Sequence, residues 1–238
     1  MISLVPSLTE ALATTVPDRL VGATDWCTHP VGLDIPRVRG TKNPDHAAIR
    51  RLWPDLVVAN QEENRRIDVE RLRAAGIPVW VTVVESVDGA LQSIRRLFVD
   101  VLEVAEPAWL RIAATEWNRP AAVPAARVVV PIWRDPWMVV GSRTFTGDLV
   151  VRLGLTHVFA GSTQRYPKLE LPQLLAVDPD LVILPDEPYA FAADDGPEAF
   201  PGIATAFVSG RSLTWYGPSM ATARAELSDR ITLALAPE

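Results

Sequence analysis

Side chains able to do chemistry concentrate in six segments that read as loops. The first, Thr24-Asp25-Trp26-Cys27-Thr28-His29-Pro30, sets an indole, a thiol and an imidazole close together. The others carry Glu62, Glu63, Asn64 and Arg65; Trp133, Arg134 and Trp137; Tyr166; Asp186, Glu187 and Tyr189; and Trp215 with Tyr216. Indoles and phenols offer flat faces, and an aromatic contact adds about 0.5–1.5 kcal/mol beyond the area it buries. Arginines beside them pair with carboxylate, phosphate or amide oxygens. The chemistry this suggests is capture of a large planar or ring-bearing molecule. Taken singly, each tryptophan is better explained by packing. Recurrence in several loops is what points to a ligand.

Catalytic patterns do not emerge. His29, His46 and His157 are scattered. The chain has no nucleophile elbow, no glycine-rich phosphate loop and no paired ligand motif of a zinc enzyme. Cys27-Thr28-His29 sets a soft sulfur near an imidazole, which suits a transition metal, but one Cys-x-His pair does not define a site. Asp186-Glu187 reads as an acid pair or, more simply, as a solvated loop. The expectation is a protein that is not an enzyme, with no catalytic residue, no metal ligand and no required cofactor.

The totals narrow the classes. With 238 residues, the chain can bury one large core or two modest ones. A net charge of −6 leaves no basic footprint, so nucleic acid is not an expected partner. The single cysteine excludes an internal disulfide and a cysteine-rich zinc site. No apolar run approaches the roughly 20 residues of a membrane span, so the chain is expected not to span one. Met1 leads at once into the strand-like Ile2-Ser3-Leu4-Val5, without the basic start and long apolar core of a secretory leader. As it stands the chain is expected in the cytoplasm, and outside it if a leader has been trimmed away. A monomer is expected.

The elements that must position these loops alternate between strand and helix. Apolar runs at Ile2–Val5, Leu20–Ala23, Leu56–Ala59 and Pro78–Val84 read as strands, with helices between them. Ser7 and Glu10 have the spacing of a capping box. Asn43-Pro44 reads as the opening of a helix, with Asn43 as cap. A second set follows, with strands at Arg127–Pro131, Met138–Val140, Leu181–Leu184 and Ala204–Val208; Ile132–Trp137 and Ser212–Pro218 read as loops, and Ser219–Leu235 as a closing helix. Both sets share a phrase, a short helix followed by Pro-Asp-Leu-Val: Pro54-Asp55-Leu56-Val57 and, 125 residues later, Pro179-Asp180-Leu181-Val182. Between them, Val87, Ala90, Leu91, Ile94, Leu97 and Phe98 recur at helical spacing. Pro107 breaks this run into two helices, Val87–Glu103 and Pro107–Asn118. The predicted architecture is α/β: an N-terminal lobe over residues 1–86, a helical linker over 87–119 and a C-terminal lobe over 120–238. Two similar lobes with mostly parallel sheets should then hold a ligand in the cleft between them.

Beyond these patterns, the whole chain resembles the helical-backbone class of solute-binding proteins. These serve ABC importers of cobalamin and of iron–siderophores or haem. Ser3-Leu4-Val5-Pro6-Ser7-Leu8-Thr9-Glu10 looks like the family's first strand and helix. Val21 to Pro30 is similar to the second-strand loop of its cobalamin-binding branch, with an aromatic, a cysteine and a proline. Gly40-Thr41-Lys42-Asn43-Pro44 and the loop Glu62-Glu63-Asn64-Arg65 also match. The resemblance implies a non-catalytic protein that binds a corrinoid, cobalamin first, and hands it to an ABC permease. Trp26, Cys27, His29, Asn64, Arg65, Trp133, Arg134, Tyr166, Trp215 and Tyr216 are then the ligand-binding candidates. Under the same resemblance, Glu63 and Glu170 would be the counterparts of the acidic residues with which the family docks its permease. An iron–siderophore or haem cargo is the alternative, with Arg65, Arg134 and Arg143 pairing with its acid groups. A cytoplasmic corrinoid or metal-chelate sensor or accessory protein, working without a transporter, is the third. The family's spanning helix is longer than the stretch after Pro107, about 12 residues or roughly 18 Å. Thr41 and Asn60 stand where cobalamin binders can offer aromatics.

Overall fold

The computed structural model describes residues 1–121 and 123–236. They group into two compact units that interleave along the chain. Unit 1 holds residues 1–84, 92–110 and 216–218, and unit 2 holds 85–91, 111–215 and the rest from Ser219.

Unit 1 is built from β1 (Ile2–Ser3), α1 (Pro6–Thr15), β2 (Gly22–Ala23), β3 (Arg39–Gly40), β4 (Asn43–Pro44), α2 (His46–Arg51), β5 (Val57–Asn60), α3 (Arg66–Ala74) and β6 (Val79–Thr82). Its main sheet runs β2-β1-β5-β6, every pair parallel. Helices cover parallel sheets on both faces, so central strands are apolar throughout. Accordingly Val57, Val58 and Ala59 have no exposed surface. Ile2, Leu4, Val38, Ile49 and Leu72 close the core around them. Gly76 ends α3 with φ +79°, the left-handed stop that glycine adopts without a steric penalty.

The central helices are α4 (Val87–Arg96), which continues through a π-helical turn to Val101, and α5 (Ala108–Trp117). The first helix stops at Val101, with Glu103 in left-handed φ of +52°, and Pro107 stands directly before α5, where its missing N–H costs no helical hydrogen bond. Of the predicted apolar face, Val87, Ala90, Ile94, Leu97 and Phe98 are fully buried.

Unit 2 holds β7 (Arg127–Val129), β8 (Pro131–Trp133), β9 (Trp137–Val139), α6 (Phe145–Leu153), β10 (Thr156–His157), β11 (Lys168–Leu169), α7 (Leu171–Ala176), β12 (Leu181–Pro185), β13 (Ala204–Val208), α8 (Gly210–Thr214) and α9 (Met220–Ala234). Its main sheet, β10-β7-β12-β13, is again all parallel. In chain order within each unit, both sheets follow second-first-third-fourth. The repeated phrase occupies the same place in each, leading into the third strand. Trp53 and Asp178, the residues before its proline, both take left-handed φ, +46° and +50°.

Four expectations are corrected. Helix α1 starts at Pro6 behind Val5, so Ser7 and Glu10 do not form a capping box. Asn43-Pro44 is a strand rather than a helix start. It pairs with Arg39-Gly40, and Asp45 caps α2 instead by accepting from the N–H groups of Ala47 and Ala48. The supposed loop Ile132–Trp137 contributes strands to a three-stranded antiparallel sheet, β11-β9-β8. The Ser212–Pro218 segment begins inside helix α8, which Ser209 caps.

Two buried polar groups tie unit 1 together. The Asn64 amide donates to the carbonyls of Leu4 (3.2 Å) and Thr41 (3.0 Å) and accepts from Asn60 N–H (2.9 Å). Asn64→Ala would leave those groups unpaired, at a cost of about 2–3 kcal/mol. Urea denaturation should show it as a lower midpoint with an unchanged slope. The second group is Asp68, which accepts from Arg65 (2.7 Å) and His46 (2.9 Å). Burial pushes its pKa up, but these hydrogen bonds outweigh burial and hold it below the ordinary carboxylate value. A depressed folded-state pKa contributes stability above the unfolded value of about 3.9, and that contribution is lost as pH falls through the folded value. Denaturation midpoints below about pH 4 should therefore fall more steeply in the parent protein than in Asp68→Asn.

Candidate functional site

Of the candidate loops, those carrying Trp26, Glu62 to Arg65 and Asp186 to Tyr189 follow the carboxyl ends of parallel strands β2, β5 and β12, where open α/β sheets hold their ligands. In unit 1 the loop after β2 presents Trp26, whose side chain lies in the open at 67% exposure. Its indole nitrogen sits close over Gly40, 3.2 Å from where a Cβ would be, and the Asn43 amide oxygen would meet that Cβ at 2.5 Å. A larger residue at position 40 would therefore have to push the Asn43 amide and the Trp26 indole aside.

Cys27, next in sequence, faces the other way. It is fully buried, its sulfur accepts from the Thr9 hydroxyl (3.0 Å), and it shares a hydrogen bond with Thr24 (3.1 Å). Burial pushes the thiol pKa up, against the smaller opposing pull of the threonine hydrogen bonds. It is thus a protonated packing residue rather than a nucleophile or a soft metal ligand. His29 is half-buried and bonded to Thr28 at 3.1 Å. The Cys-x-His spacing therefore does not bring a thiolate and an imidazole to one point. The residue that shapes this loop is Arg37, which sequence reading missed. It donates to the carbonyls of Thr24, Cys27 and Leu33.

The second unit 1 candidate loop is also committed internally. Asn64 is almost wholly buried in the bonds described above. Arg65 is paired with Asp68. Burial pushes the Glu63 carboxyl pKa up, with Lys42 opposing. Tyr216 is buried and belongs to unit 1 with Gly217, whose Cβ would stand 2.8 Å from the Ser7 carbonyl.

Unit 2 gathers its aromatics more tightly. Trp137 is core, stacked on Phe191 at 6.1 Å and edge-on to Phe200 at 5.2 Å. Trp133 is 45% exposed and meets Tyr189 edge to face at 5.7 Å. The Tyr189 hydroxyl donates to Asp195 at 2.6 Å. Arg134 lies 5.4 Å from the Trp137 ring centre and bridges the Asp195 and Glu198 carboxylates. This cluster fastens the loop that follows β12 to the β8–β9 hairpin. Tyr166 is half-buried, and Trp215 is buried at the end of α8. Glu170, a docking candidate, caps α7 in a box with Gln173.

Beside Trp133 opens a cavity of about 210 Å³ lined by Ile132, Trp133, Pro136, Met138, Lys168 and Pro188. Of these, sequence reading named only Trp133 as a contact. A bulge between Pro131 and Trp133 lets consecutive residues Ile132 and Trp133 both line it. The signal for Met138 was available: Trp137 turns into the core, so its neighbour must turn out.

No family model matches the chain. A vitamin B12-binding protein of Pectobacterium atrosepticum is 25% identical over 196 residues, 77% of this chain and 70% of that protein. In fold, the chain is similar to the periplasmic vitamin B12 binding protein BtuF of Vibrio cholerae, with a TM-score of 0.79 and 18% identity over 99% of this chain and 97% of that one. It is likewise similar to the periplasmic heme-binding protein BhuT in complex with two hemes, with a TM-score of 0.81 and 23% identity over 99% and 98%. These likenesses bear out the resemblance to the solute-binding class and the α/β fold that goes with it. At such identities the solved structures speak to the fold alone.

If the Arg134 bridge holds the loop after β12, Arg134→Met should speed amide hydrogen exchange across residues 189–198. The amides of Asn60 and Asn64 should exchange at the parent rate.

Proposed function

We propose that this protein holds a large ring-bearing ligand without transforming it, and delivers it as the solute-binding component of an ABC importer. A corrinoid of the cobalamin class is the first reading. Its main support is the likeness in sequence to proteins named for vitamin B12 binding, over about three quarters of the chain. The site chemistry agrees with it. The two exposed candidate aromatics, Trp26 and Trp133, offer area rather than charge. Of the three arginines offered for an acidic cargo, Arg65 and Arg134 are already bound to carboxylates, and exposed Arg143 is not, among the described residues. A ligand rich in neutral amides asks less of those arginines than one that needs them released. Among the described residues no helix is long and apolar enough to cross a membrane. Under this reading the membrane-spanning step belongs to a permease.

Haem or an iron–siderophore is the second reading, favoured by the fold-level likeness to a heme-binding protein.

Calorimetric titration with cyanocobalamin should give saturable heat at one ligand per chain. Trp26→Ala and Trp133→Ala should each weaken binding by roughly threefold to tenfold. A melting point raised by haemin or a siderophore, and unmoved by cyanocobalamin, would select the second reading. No response to any of them would discard both.

A further inference from the structure

We infer that Lys168 reads an acidic group on the rim of the bound ring, and that this group sits at the end of a side-chain row crossing the antiparallel sheet of unit 2. This rests on the reading that the chain binds a ring-bearing ligand, and goes beyond it by naming what the ring must carry.

The row follows from strand register. Trp133 on β8 pairs with Met138 on β9, and Met138 pairs with Lys168 on β11. Directly opposed residues of antiparallel strands put their side chains on one face, with Cβ atoms about 4.5–5.5 Å apart. Indole, thioether and ammonium therefore stand side by side over roughly 10 Å. The opposite face is spent on the core, where Trp137 packs in the unit 2 cluster and its partner Leu169 packs against it.

All three residues line the same small cavity, with Ile132, Pro136 and Pro188 completing an apolar wall. At about 210 Å³ it is too small for a whole macrocycle and suits one edge of it. Lys168 is the only charged group on that wall. Among the described residues its ammonium has no hydrogen-bond or ion-pair partner. An apolar shelf that ends in one free cation is complementary to a flat ring bearing an anionic oxygen at its edge. That oxygen could be the phosphodiester of a complete corrinoid or the carboxylate of a porphyrin. Both are anionic oxygens on the periphery of a ring.

The test compares the parent with Lys168→Gln and Lys168→Arg against two matched pairs. Cyanocobalamin is set against dicyanocobinamide, which lacks the phosphodiester, and haemin against its dimethyl ester. Lys168→Gln should lose roughly threefold to tenfold in affinity for the acidic member of whichever pair binds, and nothing for its neutral counterpart. The loss should shrink as salt rises, and Lys168→Arg should restore binding. Which pair responds identifies the source of the acid. Equal affinity of parent and Lys168→Gln for the acidic member overturns the inference while leaving the ligand reading intact. An equal loss for the neutral counterpart overturns it too, because the lysine stem would then matter only as packing. A parent that binds none of the four compounds overturns both.

Discussion

Both units depend on the burial of a parallel strand on both faces. In β5 and in β12 every residue is buried, polar Asn60 included. Such a strand contributes through area alone, at about 25 cal/mol per Å² of apolar surface removed from water. It tolerates a polar group inside only where hydrogen bonds satisfy it, as at Asn60, whose amide donates to Thr82. Polar chemistry is therefore driven to the strand ends. At the amino end of the repeated phrase, Asp180 takes the N–H of Arg127 at 2.7 Å, fastening β12 to β7. At the carboxyl ends Asn60 accepts from Glu62 N–H, and Asp186 accepts from Gly210 N–H. These bonds satisfy backbone groups that a turning chain would otherwise leave unpaired. They also set where the loops after β5 and β12 begin.

That constraint explains why a polar residue in a loop is an ambiguous sign. Asn64, Arg65 and Arg134 have the chemistry of ligand contacts, and each is engaged inside its own unit. Asn64 bonds three backbone groups, Arg65 holds Asp68, and Arg134 holds Asp195 and Glu198. A rigid loop needs such ties, because every residue it orders costs about 1–2 kcal/mol of backbone entropy. Sequence shows that donors and acceptors are present. Whether they face the ligand or the loop depends on partners far along the chain, such as the 61 residues that separate Arg134 from Asp195.

The fold was legible where the signal was local and periodic. The strand Ala204–Val208 occurs where the sequence places it. So does the start of the second central helix, directly after Pro107. The duplicated phrase announced two sheets of one design, and they share strand order. Legibility failed where two rules competed for neighbouring residues. Asn43-Pro44 satisfies the pattern of a helix start, but Asp45 is an equally good cap and leaves the preceding pair free to join a hairpin. The antiparallel sheet of unit 2 was missed because its strands are two or three residues long and a bulge breaks the alternation in one of them. Of the candidate site, exposed Trp26 and Trp133 could be read from type and place. The inward turn of Cys27 could not, since it is set by Thr9, 18 residues earlier.

The charge pattern in unit 2 follows from the same reasoning. Arg134, Arg152 and Arg165 are each held by a carboxylate: Asp195 and Glu198, Asp88 and Asp148, and Glu85. A guanidinium is suited to this work, because its planar fork holds several acceptors at fixed angles. An incoming anion could recruit one only by displacing an acid already in place, so the gain would be offset by the pair broken. A lysine at the end of a short edge strand has a different value. Its ammonium is well hydrated and flexible, and an unpaired edge bearing lysine resists pairing with other chains. It therefore keeps a charge in the open without unsettling the sheet. In unit 2, then, Arg134, Arg152 and Arg165 brace their surroundings through carboxylates, and Lys168 stays unpaired where the apolar wall meets water.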